Sequence, residues 1–142
     1  MKKFMVCIAM MGIFAIANAQ KCSSTDVPTA AKDAFSKSHP GIENVDWNKD
    51  GSNYLAKYEI GKYDMSSCYD STGKLLESKE EISESSLPEA ALNYVNANCK
   101  ADDIKESTKV VDAKGIVTYE VKVKGKHLVF DAYGKLLNSI EH

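Results

Sequence analysis

Few residues in this chain have the type and spacing to do chemistry. The run Asp46-Trp47-Asn48-Lys49-Asp50-Gly51 matches the first half of a calcium loop, where alternate oxygen-bearing side chains ring the ion and Gly makes the sharp turn. The twelfth position of such a loop holds a bidentate Glu; here it is Lys57, whose ammonium repels a cation. Cys22, Cys68 and Cys99 could be nucleophiles or metal ligands, but their separations of 46 and 31 positions fit no zinc or redox motif. His39, His127 and His142 are far apart, with no H-x-H or H-x-x-x-H spacing and no Ser, His, Asp order that suggests a triad. Glu80-Glu81 and Asp102-Asp103 read as the solvated ends of elements. The chain is therefore expected to hold no metal or cofactor and to lack catalytic residues.

The chain of 142 residues opens as an exported one. Lys2 and Lys3 precede an apolar run over residues 4–16, and Ala17-Asn18-Ala19 forms a small-x-small cleavage site. Residues 1–19 thus read as a signal peptide, too short in its apolar stretch to span a bilayer. The destination is periplasmic or secreted. Cys7 leaves with the signal, and an oxidising compartment lets one pair form among Cys22, Cys68 and Cys99 with one thiol left over. Every basic residue is Lys; with Lys2 and Lys3 gone, 16 Lys face 20 Asp and Glu. A net negative chain without Arg lacks the positive footprint of a nucleic-acid binder, so that class is excluded.

The elements show a repeated plan. Val27-Pro28, Ala30-Ala31, Ala34-Phe35 return 60 positions later as Leu87-Pro88, Ala90-Ala91, Tyr94-Val95. Both sets space their apolar residues at i, i+3, i+4, i+7 and i+8, which is one helix face. Pro28 and Pro88 suit the first helical position, where a missing N–H costs nothing. Pro40-Gly41 ends the first helix by Ser38 or His39.

After each helix the period becomes two. Tyr54, Ala56, Tyr58 and Ile60 alternate with Leu55, Lys57 and Glu59, and Tyr119, Val121 and Val123 alternate with Glu120, Lys122 and Lys124. Asp70-x-x-Gly73-Lys74-Leu75-Leu76 and Asp131-x-x-Gly134-Lys135-Leu136-Leu137 mark matching hairpin turns. Gly61 to Asp70 and Gly125 to Asp131 differ by an odd number of steps, which predicts a bulge or a slipped strand in one of the two halves.

The fold class expected is α+β, a tandem duplicated unit of one helix plus a four-stranded antiparallel meander. Residues 20–83 form the first unit and 84–142 the second, together making one compact domain with either one extended sheet or two sheets side by side. Trp47, Tyr54, Tyr58 and Tyr119 share parity with aliphatic neighbours and should pack under the helices. The opposite parity leaves a sheet face open to water. It carries Leu55, Lys57, Glu59, Asp64 and Ser66, then Glu120, Lys122 and Lys124. Tyr133, in a tight turn, is expected to be exposed.

The pattern Val27-Pro28…Phe35…His39-Pro40…Val45-Asp46-Trp47…Tyr54, then Tyr69-Asp70-x-x-Gly73 and Phe130-Asp131-x-x-Gly134, resembles the PepSY-like, beta-lactamase-inhibitor-like family of exported bacterial proteins. Cys99-Lys100 stands where the first half has His39-Pro40, so the second half departs further from the pattern. The resemblance implies a helix-plus-antiparallel-sheet fold like that of the beta-lactamase inhibitor protein. It also implies a non-catalytic role, inhibiting or controlling an extracytoplasmic enzyme such as a peptidase.

The function expected is therefore an exported, non-enzymatic binding module with a protein partner in the cell envelope. Leu55, Lys57, Glu59, Lys122 and Tyr133 are the candidate contact residues. Two other readings make distinct demands. A small-ligand or lipid carrier needs an apolar cavity between helices and sheet. A hydrolase using Cys68 or a carboxylate pair needs a base within hydrogen-bond reach.

Overall fold

A computed structural model describes residues 20–21 and 24–141 of the chain. The expected export signal, Cys22 and His142 lie outside them. In chain order the elements are β1 (Gln20–Lys21), α1 (Thr29–Ser38), β2 (Asp46–Asp50), β3 (Asn53–Ile60), β4 (Tyr63–Tyr69), β5 (Leu75–Ile82), α2 (Glu89–Asn98), β6 (Ile104–Asp112), β7 (Val117–Val123), β8 (Lys126–Asp131) and β9 (Leu136–Glu141). One-turn 3-10 helices at Ser24–Asp26, Glu84–Ser86 and Ala101–Asp103 sit between them.

The strands make one sheet of nine, ordered β1 to β9 along the chain and antiparallel at every seam. This corrects the tandem of helix-plus-four-strand units expected from the sequence. The chain does not divide into two meanders, because β5 and β6 hydrogen-bond from Glu77↔Asp112 to Ile82↔Ser107. An unpaired strand edge there would leave a row of backbone donors and acceptors exposed, and continuing the ladder satisfies them. The ninth strand, β1, also falls outside the four-strand plan.

Both helices lie on the same face of the sheet, and alternation dictates what they cover. Ala31 and Phe35 of α1 pack with Val27, Trp47, Ala56, Tyr58 and Tyr69. Leu87 packs with Ala91 and Val95 of α2 against Val121, Val123, Leu128 and Phe130. The rings interlock: Phe35 meets Trp47 and Tyr58 edge-on, with centroids 6.0 and 5.0 Å apart. Tyr54 and Tyr119 are partly buried against these same clusters. His39 caps α1, its N–H donating to the Phe35 carbonyl and its ring stacked 4.7 Å from Phe35. Its Nε2 lies 2.8 Å from the Tyr58 hydroxyl. Pro28 and Pro88 stand one residue earlier than expected, at the caps, with ψ of 142° and 145°.

The hairpin corners are built alike. Asp70 Oδ1 accepts the N–H groups of Thr72 and Lys74 at 2.8 and 3.0 Å, and Asp131 Oδ1 accepts those of Tyr133 and Lys135, both at 2.9 Å. At Gly73 (φ +89°) and Gly134 (φ +92°) the corner also runs hard against the start of a helix. A Cβ on Gly73 would lie 2.6 Å from the Ala30 carbonyl oxygen, and one on Gly134 2.6 Å from the Ala91 nitrogen. The register shifts at corresponding places in the two halves, Cys68/Tyr69 and Val129/Phe130, and again at Ile104/Glu106; the matched pair does not account for the odd difference in spacing, which was expected to mark one half alone.

Candidate functional site

The sheet face that no helix covers is hollowed into a groove of about 780 Å³ that reaches from β2 to β8. Directly opposed residues of antiparallel strands share a face, so the registers fix its floor. One row runs Asp46, Lys57, Ser66, Lys79, and its neighbour runs Asn48, Leu55, Cys68, Glu77. On the far side Thr108 faces Glu120, and Glu106 faces Lys122, which faces His127.

Glu120 is the centre of the polar contacts. His127 Nε2 lies 3.0 Å from its Oε2 and Lys79 Nζ 3.7 Å from its Oε1. Burial pushes this carboxyl up, but the His127 hydrogen bond and the Lys79 and His127 charges, with Lys122, outweigh it and hold it below the ordinary range. Lys122 Nζ lies 3.8 Å from Glu106 Oε1, which also accepts the Thr108 hydroxyl at 3.2 Å. Glu77 behaves oppositely. Burial raises its pKa, and the repulsion of Glu120 and Asp112 adds to that against the attraction of Lys79. The Cys68 thiol is pushed up to about 11, first by burial and then by Glu77 and Asp50.

Four of the five candidate contact residues come together here: Leu55, Lys57, Glu59 and Lys122 line the groove. Tyr133 does not. It sits at the β8–β9 corner, 86% exposed. Asp64, Ser66 and Glu120 also line the groove as parity placed them, whereas Lys124 lies in the turn after β7. Sequence reasoning missed Glu77, Lys79, Glu81, Glu106 and His127. The bulge at Cys68/Tyr69 hid the first three: plain alternation across the Asp70–Gly73 corner would set Ser66 opposite Ser78, whereas the shifted register sets it opposite Lys79 and so brings Glu77, Lys79 and Glu81 to this face.

The remaining motifs resolve into structure. Asp46 and Asp50 lie at the two ends of β2, about 13 Å apart at strand rise, too far to share one ion in an EF-type loop. Cys68 and Cys99 are not bonded to each other; pairings with Cys22 fall outside the described residues. Cys68 on β4 and His127 on β8 are four strands apart, about 19 Å along the sheet. That separation, with a thiol this hard to ionise, gives no nucleophile–base pair. Phe35, Trp47, Tyr58, Tyr69, Val95 and Phe130 pack at the helix–sheet interface, each at most 8% exposed. Among the described residues no helix is long and apolar enough to cross a membrane.

Solved structures share this architecture. A candidate periplasmic protein of Bacteroides eggerthii superposes with a TM-score of 0.70 at 18% identity, covering 81% of this chain and 88% of that one. A DUF2874 family protein of Bacteroides ovatus gives 0.67 at 19% identity, covering 80% and 86%. A BLIP-like protein of Bacteroides fragilis gives 0.61 at 20% identity, again covering 80% and 86%. No family profile and no curated protein matches the chain. A fold like that of a beta-lactamase-inhibitor-like protein is thus shared with solved chains. The narrower PepSY-like resemblance rests on the sequence motifs alone.

Proposed function

We propose that this protein is an exported, non-catalytic binding module that docks a protein partner in the groove of its uncovered sheet face. Its role is to inhibit or control an extracytoplasmic enzyme such as a peptidase. The observation that carries this is the groove itself: about 780 Å³ of concave surface, lined from strands β2 to β8, on the one face with no covering layer. A sheet ordinarily buries its second face against another layer or exposes it as a polar surface. Here that second face is recessed and holds partly buried charges, which costs desolvation without serving the core. The basic start, apolar run and Ala17-Asn18-Ala19 site support delivery to the periplasm or beyond. The candidate periplasmic protein that shares the fold supports the same compartment.

The test is site-specific photocrosslinking in cells expressing the full chain. A photoreactive residue at Leu55, on the groove floor, should capture a discrete partner, and one at Lys32, on α1, should not. Capture from Lys32 alone would place docking on the helix side and overturn the proposal.

A further inference from the structure

We infer that the groove takes an extended, Lys- or Arg-bearing segment of the partner protein. The inference rests on the docking reading above and adds the partner's chemistry to it.

The charge of this molecule is sorted. Eight carboxylates and three ammoniums line the groove, a net −5 with His127 neutral. Beyond it, residues 20–142 carry twelve carboxylates and thirteen ammoniums, which nearly cancel. The excess negative charge of the exported chain is therefore concentrated in one concavity. Low-dielectric walls there focus the field and attract counter-charge.

Internal pairing does not absorb it. Lys79 and His127 are committed to Glu120, and Lys122 to Glu106. Glu59, Asp64 and Glu77 have no cation within 4 Å among the described residues. Glu77 is the most telling of these, since burial already disfavours its charge. An incoming ammonium or guanidinium would relieve the repulsion among Glu77, Glu120 and Asp112.

Shape selects a chain segment over a compact ion. Acidic side chains are spread from Asp46 on β2 to Glu120 on β7, five strand spacings or about 24 Å. An extended chain covers that span in about seven residues. Leu55 gives the floor an apolar point between the charges. A second groove is a poor occupant, because two such surfaces repel.

The test uses the chain without its signal and two fluorescein-labelled peptides of about eight residues, the length of a long strand. One alternates Lys with Thr, the other Glu with Thr. Anisotropy should show binding of the Lys peptide only. Binding should weaken at least tenfold as salt rises from about 0.01 M to about 0.15 M, where the screening length falls from about 30 Å to about 8 Å. The isosteric triple variant Glu59→Gln, Asp64→Asn, Glu77→Gln should lose about tenfold in affinity, which is about 1.4 kcal/mol. The matched variant Asp33→Asn, Glu89→Gln, Asp102→Asn removes the same net charge from the helix side and should bind as the parent does. Equal loss in both variants, or no preference between the peptides, overturns the inference. So does spermine competing as well as the Lys peptide, which would make the ligand a small polycation. If Leu55 instead crosslinks to a partner segment without Lys or Arg, docking stands and the cationic chemistry falls.

Discussion

The close approach of each corner to a helix start can be weighed with one glycine substitution and its control. Gly73 has φ +89°, and its Cβ would meet the Ala30 carbonyl oxygen at 2.6 Å and carbonyl carbon at 2.9 Å. Both are backbone atoms, so no side chain can swing aside. Gly61 has φ +64° with nothing within 4 Å of its Cβ. An L residue at positive φ costs about 1–2 kcal/mol, and forcing extra atoms into a packed contact costs about 1–3 kcal/mol more. Gly61→Ala should therefore destabilise by about 1–2 kcal/mol and Gly73→Ala by about 2–5 kcal/mol. Urea unfolding followed by Trp47 emission reads the difference, since Trp47 is buried beneath α1. With a slope of about 2 kcal/mol per molar, the midpoint should drop by about 0.5–1 M for Gly61→Ala and about 1–2.5 M for Gly73→Ala. Equal drops would mean that α1 does not rest on this corner.

Three further outcomes follow from the packing and the groove. Phe35→Ala empties the centre of the α1 cluster and should cost about 3–5 kcal/mol by thermal or urea unfolding; a loss below about 1 kcal/mol would show a loosely packed site. Glu120 and Glu77 should have opposite pH signatures. A carboxyl held low in the fold, as Glu120 is, adds stability above its unfolded value near pH 4, and that contribution disappears as pH falls through the lowered value. A raised carboxyl, as Glu77 is, adds stability only below about pH 4 and loses it as pH rises. Near neutral pH, Glu120→Gln should thus lower the urea midpoint and Glu77→Gln raise it; matching signs would refute the assigned environments. Cys68, at about 11, should react slowly with iodoacetamide. At about pH 8 roughly one such thiol in a thousand is ionised, against about one in four for an ordinary cysteine. Peptide-resolved mass spectrometry reads this, and labelling as fast folded as in urea would contradict it.

Much of the fold is legible in the sequence because it follows from local period. The i, i+3, i+4, i+7 spacing from Val27 to Phe35 marks the face that α1 buries. Strict alternation along β3 sorts Ala56 and Tyr58 from Leu55 and Lys57, and the burial follows it. The Asp-x-x-Gly corners are visible because the Asp carboxylate and the Gly φ are local requirements. Strand pairing is not local. Period two states that 75–82 is a strand but not that Ile82 will face Ser107 across a seam, so alternation alone leaves one extended sheet and two separate sheets equally open. The groove shares this limit. Glu77, Glu106 and His127 are ordinary charged residues in the sequence. Only the registers across four seams, including a bulge at Ile104/Glu106, bring them together.

The strand order has a consequence for how the molecule is made. Each strand bonds only to the strands beside it in sequence, and each helix covers strands of its own neighbourhood. A chain threading out of a ribosome or a translocation channel from its amino end would meet every partner within a few tens of residues. Assembly can then advance stepwise behind the exit, with little loop entropy to overcome at each addition. The growing lip of the sheet, open at each stage, is the part most in need of protection until β9 has arrived.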